Sequence, residues 1–393
     1  MFSFKEIKKS FLISLWFMFL TFPLMVIKIN PETHSILWEW KNMLWVGIGT
    51  FCISLLVRFY QARNKKKSLS KKLFFADRKI PTSVIVALLF FSIIFPFLFS
   101  NYHVNIMTTA LMYIVLGLGL NIIVGLAGLL NLGYAAFYAI GAYSYALLNY
   151  HFGIGFWLAI PIAALLSALA GILLGFPVLR LRGDYLAIVT LCFGTIIRLI
   201  LENWDELTFG PSGISQIPRP TFFGIEFSPH NVTTYIYFIA LGFVFFTIFM
   251  VNRLKHSKIG REWQALREDE IACEAMGVDK TKTKLSAFAL GATWAGMMGV
   301  LFAAKTTFIN PASFTFIESV IMLSIVVLGG MGSISGIIIA ALILILLPEY
   351  LRELGNYRMI VFGLSMVVII IFKPHGLIGN VKKNYKTDYD VSQ

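Results

Sequence analysis

The chain has 393 residues, 58% of them apolar and only 13% charged, with a formal net charge of +13. Soluble domains carry about 25% charged residues, so a water-soluble fold is excluded. The apolar runs are too long and too unbroken for a transmembrane barrel, whose strands alternate over about 10 residues.

A helix needs about 20 apolar residues to cross the hydrocarbon layer. Runs of that kind fall at 11–27, 42–60, 81–99, 105–126, 132–150, 156–178, 185–201, 233–252, 285–304, 317–330, 336–348 and 358–372. The expected fold is therefore an all-α polytopic membrane protein of roughly 10–12 transmembrane helices. Lys5, Lys8 and Lys9 precede the first run as they would in a signal peptide. The run is long, however, and Lys28 to Pro31 offers no small-residue cleavage site, so a retained helix is expected.

Residues 1–80 read as a two-helix leader closed by a basic linker with Lys65, Lys66, Lys67, Lys71 and Lys72. The linker suits a cytoplasmic anchor, and anionic lipid head groups are its other reading. A larger body follows over 81–379, then a polar cytoplasmic tail over 380–393. With both termini placed in the cytoplasm, inner segments hold 25 Lys and Arg against 6 in outer segments. Positive charge resists translocation, so this bias fixes the orientation. The basic balance then reflects topology and the lipid bilayer, and no nucleic acid is called for.

Two stretches of the body are dense in glycine. The first includes Gly119, Asn121, Gly125, Gly128, Asn131 and Gly133, and the second includes Gly329, Gly330 and Gly332. Glycine costs about 1 kcal/mol against alanine inside a helix. Its repeated use points either to close helix packing or to a broken helix lining a solute path. These nine residues are the candidate translocation pathway. The segment 202–233 is rich in Gly, Pro and Ser and is expected to turn repeatedly outside the membrane.

Residues 253–284 interrupt the apolar pattern with 32 mostly polar residues. Trp263 and Leu266 lie three apart, on one face of a helix. Glu268, Asp269 and Glu270 follow, and Asp269 is placed to cap a second short helix. Gly277 supplies its left-handed stop. Such a loop suits docking to a soluble partner, with a helix lying on the lipid surface as the other reading.

Elsewhere the chemistry is sparse. Cys52, Cys192 and Cys273 show no paired spacing, and the six histidines are scattered. Neither a disulfide nor a metal site is expected. No GxxxxGK[ST] occurs, so no nucleotide site of that kind is present. Ionisable residues are nearly absent from the middle of the spans; Asp184, Arg198 and Glu318 lie toward span ends. An ion-coupled carrier needs such groups, and an intramembrane enzyme needs a polar cluster.

Several stretches together resemble a known family. They are Gly119–Gly133 running into Tyr134–Tyr143; Arg180–Tyr185 with Ala187–Leu191 and Phe193-Gly194; Ala265–Glu270 with Glu274–Gly277; Val327–Ser333; and Lys373–Leu377. Their order and spacing resemble the permease subunits of bacterial ABC importers for branched-chain amino acids, the LivM type. The resemblance implies an ABC importer permease fold in the bacterial inner membrane and a non-catalytic subunit. It further implies a second permease of the LivH type, two ATP-binding subunits and an extracytoplasmic substrate-binding protein. No cofactor is implied on this chain, since ATP and its magnesium would belong to the ATPase. The coupling residues implied are Trp263, Leu266, Glu268, Asp269, Glu270, Ala272, Glu274, Ala275 and Gly277. In the family's EAA-xxx-G frame, Ile271 stands where an acid is expected. Related permeases move urea or short amides, which is the alternative within the family; an ion-coupled carrier is the alternative outside it.

Overall fold

A computed structural model describes residues 92–221 except 180 and 182, residues 229–350, two short strands near the N-terminus, and scattered positions from 360 to 377. The chain divides into two compact units, Met1–Val86 and Ala87–Gln393. In the first, β1 (Ile27–Ile29) pairs antiparallel with β2 (Ile36–Trp38), Ile27 opposite Trp38. This ribbon falls in the segment expected to join the first two spans. The span at 42–60, that at 11–27 apart from Ile27, most of 81–99 and most of 358–372 lie outside the described residues.

The second unit is helical. Its elements are α1 (Asn101–Asn121), which continues as a π-helix over Ile122–Leu126, α2 (Tyr134–Phe152), α3 (Phe156–Val178) and α4 (Asp184–Asn203). After the one-turn helix α5 (Asp205–Thr208) come α6 (Pro229–Lys255), α7 (Lys258–Glu268), α8 (Glu270–Ala275), α9 (Lys280–Thr306), α10 (Phe316–Gly329) and α11 (Ile334–Tyr350). Among the described residues, 6 helices are long and apolar enough to cross a membrane. They fall where the apolar runs place them. The chain is a multi-pass membrane protein.

Burial sorts the helices. From Ala110 to Ala127 every residue of α1 and its continuation is buried except Tyr113. A helix apolar all round has no distinct outer face and suits the centre. α3 is the opposite case. Ala159, Ala163, Ser167, Gly171 and Gly175 repeat every fourth residue and are all buried. Leu158, Leu165, Leu169 and Leu173 are exposed and suit lipid. The small face receives α9: a Cβ on Gly296 would meet Ser167, and one on Gly171 would meet the Phe288 carbonyl at 2.7 Å. Lipid gives no hydrophobic drive between helices, so this close backbone approach supplies the packing energy.

α9 begins at Lys280, earlier than its apolar run suggests. The Asp279 carboxylate accepts from the backbone N–H groups of Thr281 and Lys282 and starts the helix in polar sequence. Those bonds, the one from Lys282 first, hold the Asp279 pKa below its ordinary value.

Candidate functional site

The polar loop folds into two helices with different surroundings. Ser257 caps α7, its Oγ accepting from the Gly260 N–H at 3.2 Å. The α7 face bearing Trp263 and Leu266 turns inward, with Trp263 fully buried. The indole N–H donates to the Thr283 carbonyl at 3.1 Å and to Ser286 Oγ at 3.0 Å. α7 is thereby fastened to the start of α9. Trp263 and Leu266 share one face of α7, as their spacing predicts, and that face is covered by this chain.

α8 presents most of its side chains outward, Cys273 and Glu270 excepted. Asp269 Oδ1 accepts from the N–H groups of Ile271 and Ala272 at 2.8 and 3.0 Å. Gly277 at φ +83° ends the segment, as its position predicts. Cys273 is buried, and burial, then the charges of Glu262 and Glu270, push its thiol pKa up. Ala272, Glu274 and Ala275 are exposed. So are Ile271 at 67% and Met276 at 84%, unusual for large apolar side chains in a solvated loop. Glu274 pairs with Lys280 at 2.7 Å.

Glu270 faces the opposite way. It forms a 2.8 Å ion pair with Lys284, whose side chain is 2% exposed. The same ammonium donates to the Leu179 carbonyl at the end of α3, at 3.2 Å. A buried cation must be paired and hydrogen-bonded, so Glu270 and Leu179 together tie α8, α9 and α3. Sequence reading counted Lys284 as one more loop cation. No local pattern marks it as interior.

α7 also reaches the first glycine stretch. Arg267 donates from its guanidinium to the Gly125 carbonyl at 2.5 Å. That carbonyl lies in the π-helix, where the wider turn loosens the α-helical ladder. Arg267 packs over Gly128, where a Cβ would stand 2.7 Å from Arg267 Cγ. The second glycine stretch meets the same place. Asn121 Oδ1 accepts from the Gly332 N–H at 2.8 Å, and Lys255 Nζ donates to the Gly332 carbonyl at 2.9 Å. A Cβ on Gly125 would fall 2.7 Å from Gly332 N, so the approach requires glycine.

The remaining motifs converge here too. Leu377 N–H donates to the Leu328 carbonyl at 2.8 Å, and Gly376 stacks on Gly330. Gly133 lies against Thr190 and Gly194 of α4, and Asn131 Oδ1 accepts from the Gly133 N–H at 2.9 Å. Gly119 faces Tyr134 and Trp294, while Gly329 faces Ile337. All five stretches that carried the family resemblance on sequence thus meet at one junction around residues 119–133. Asn121 and Asn131 are fully buried, and their Nδ2 atoms have no partner among the described residues. The nearby cavity bounded by Leu132, Gly194, Arg198, Thr315 and Ser319 has a volume of about 50 Å³. It has room for a few waters and not for an amino acid.

A family model described as the branched-chain amino acid transport system / permease component matches residues 102–370. The high-affinity branched-chain amino acid transport system permease protein LivM of Salmonella typhimurium is 47% identical over 371 residues, 87% of each chain. Its Escherichia coli counterpart is 45% identical over 386 residues, 91% of this chain and 90% of its own. The LivH permease of Escherichia coli is 24% identical over 298 residues, covering 70% of this chain and 94% of its own. No solved structure matches this chain.

Proposed function

The chain belongs to the permease components of branched-chain amino acid transport systems, and from that membership we propose that it is one of two permease subunits of an ATP-driven importer for these amino acids. The second subunit is of the LivH type, since the LivM and LivH permeases are both similar to this chain. The complex sits in the bacterial cytoplasmic membrane with both termini and the α7–α8 loop inside. Two ATP-binding subunits dock below, ATP and magnesium are bound there, and an external binding protein delivers the substrate. This chain carries out no catalysis.

The observation that carries the reading is the division of the loop. α8 offers Ile271, Ala272, Ala275 and Met276 to a partner, while α7 is stapled through Arg267 to the glycine junction. Closure of the ATPase pair moves α8. Trp263 makes α7 follow, and Arg267 passes the displacement to the π-helix of α1. The bonds of Gly332 to Asn121 and Lys255 bring α10, α11 and α6 along. The glycines and the two asparagines of the junction gate the translocation pathway.

Transport in proteoliposomes tests this. The complete complex should take up leucine with ATP and loaded binding protein, and should ignore imposed proton or sodium gradients. Gradient-driven uptake without ATP would overturn the reading.

A further inference from the structure

The C-terminal half of α6 carries a face that the coupling route does not use. Gly242, Phe246, Phe249, Arg253 and His256 recur at three- and four-residue steps and so share one side of the helix, His256 lying just past its end. All five are exposed, Phe249 at 60%. A Cβ on Gly242 would meet nothing within 4 Å, so the face is dented there. From Gly242 to Arg253 is roughly 16 Å along the helix, about half the hydrocarbon thickness. The two rings therefore lie at acyl-chain depth within one leaflet, and Arg253 lies at its boundary with water.

Two cavities open on this face. One of about 420 Å³ is bounded by Trp157, Tyr235, Phe238, Gly242 and Phe246 among others. The other, of about 500 Å³, is bounded by Phe249, Asn252, Arg253, His256 and Ser257. It joins an aromatic ring to a cationic rim, and no acid bounds it among the described residues. The backbone behind the rim is fixed. Ser257 Oγ donates to the Leu254 carbonyl at 2.7 Å, Arg261 to the His256 carbonyl at 3.1 Å, and Gln264 to the Lys255 carbonyl at 3.3 Å. The turn from α6 to α7 thus answers its own polar atoms. Arg253 differs: among the described residues its guanidinium is within salt-bridge distance of no acid.

We propose that this face binds an anionic phospholipid, its phosphate against Arg253 and His256 and an acyl chain along Phe249, Phe246 and the dent at Gly242. The planar fork of an arginine matches phosphate oxygens, and basic pockets at the membrane boundary attract anionic head groups. The occupant follows from charge and depth together. A soluble partner reaches the cations but not rings at acyl-chain depth, and an apolar partner helix leaves Arg253 unanswered. A lipid with a negative head group meets both. The site stands beside Lys255, whose ammonium holds the Gly332 carbonyl, so a bound lipid steadies α6 next to the glycine junction.

The test is native mass spectrometry of the purified complex, stripped of lipid in detergent. It is titrated with phosphatidylglycerol or with phosphatidylcholine of the same acyl chains. Phosphatidylglycerol should bind at least tenfold more tightly. Arg253→Gln with His256→Gln should weaken that binding about tenfold, and Arg253→Lys much less. Lys282→Gln removes an exposed lysine of the same loop outside the cavity and should change nothing. The substituted residues are exposed, so the thermal midpoint without lipid should stay where it is. Phosphatidylglycerol should raise the midpoint of the parent, and inorganic phosphate should not. Equal binding of the two lipids overturns the proposal, as does an equal loss in Lys282→Gln. An equal midpoint rise with inorganic phosphate makes this a simple anion site, and no bound lipid makes the face an interface with another subunit; either result overturns the proposal too. No uptake is measured, so the outcome stands apart from the transport function proposed above.

Discussion

α7 and α8 stand side by side in one loop and do opposite things. α7 looks polar in sequence yet buries an indole and sends an arginine into the membrane body. α8 is only 6 residues long and, with the Met276 that follows it, keeps two large apolar side chains in the open. The difference separates two requirements of the coupling role proposed for this loop. One part must be rigidly continuous with the moving helices, and another must remain available to a partner. The acids between them serve the fold: Asp269 caps α8 and Glu270 holds Lys284. Charge reversal of these acids would therefore disturb the loop itself before it tested docking.

This contrast predicts a graded series in the purified complex. Trp263→Ala should cost most, about 3–5 kcal/mol for a buried aromatic, seen as a large drop in the thermal midpoint. Trp263→Phe should cost far less. Lys284→Met leaves Glu270 without its buried partner and should cost about 3 kcal/mol. Adding Glu270→Met should recover most of that loss, and a double-mutant cycle without coupling would break the proposed tie. Arg267→Lys should cost about 1 kcal/mol, because an ammonium replaces the guanidinium fork. Its signature is functional: less leucine imported per ATP hydrolysed at unchanged hydrolysis. Ile271→Ser with Met276→Ser should change stability by less than about 0.5 kcal/mol. The same pair should sharply reduce co-purification of the ATPase. If it destabilises the chain as Trp263→Ala does, α8 is not the outward half.

Local features of this site were legible in the sequence. The Asp269 cap, the break between the two helices and the Gly277 stop depend on residues two to four positions apart, where backbone hydrogen bonding sets the pattern. The small-residue face of α3 is readable for the same reason. What could not be read are long-range partners. The spacing of Trp263 and Leu266 defines a face and not the side it turns to. Lys284 resembles every other lysine of a basic loop until Glu270 and Leu179 are seen beside it. Arg267 and Gly125 are 142 positions apart. Only the glycine at 128, needed beneath the arginine, hinted that something approaches there. The nine residues assigned to a pathway are packed into a junction, which the sequence offered as one of two readings.

The π-helix at Ile122–Leu126 has a mechanical consequence of its own. Such a turn stores one residue more than the α-helix on either side. A surplus of that kind moves along a helix only in whole residues. A shift of that surplus by one residue corresponds to about 1.5 Å along the helix axis and about 100° of rotation. Arg267, reaching in from α7 to the Gly125 carbonyl, sits on the very turn that carries this surplus.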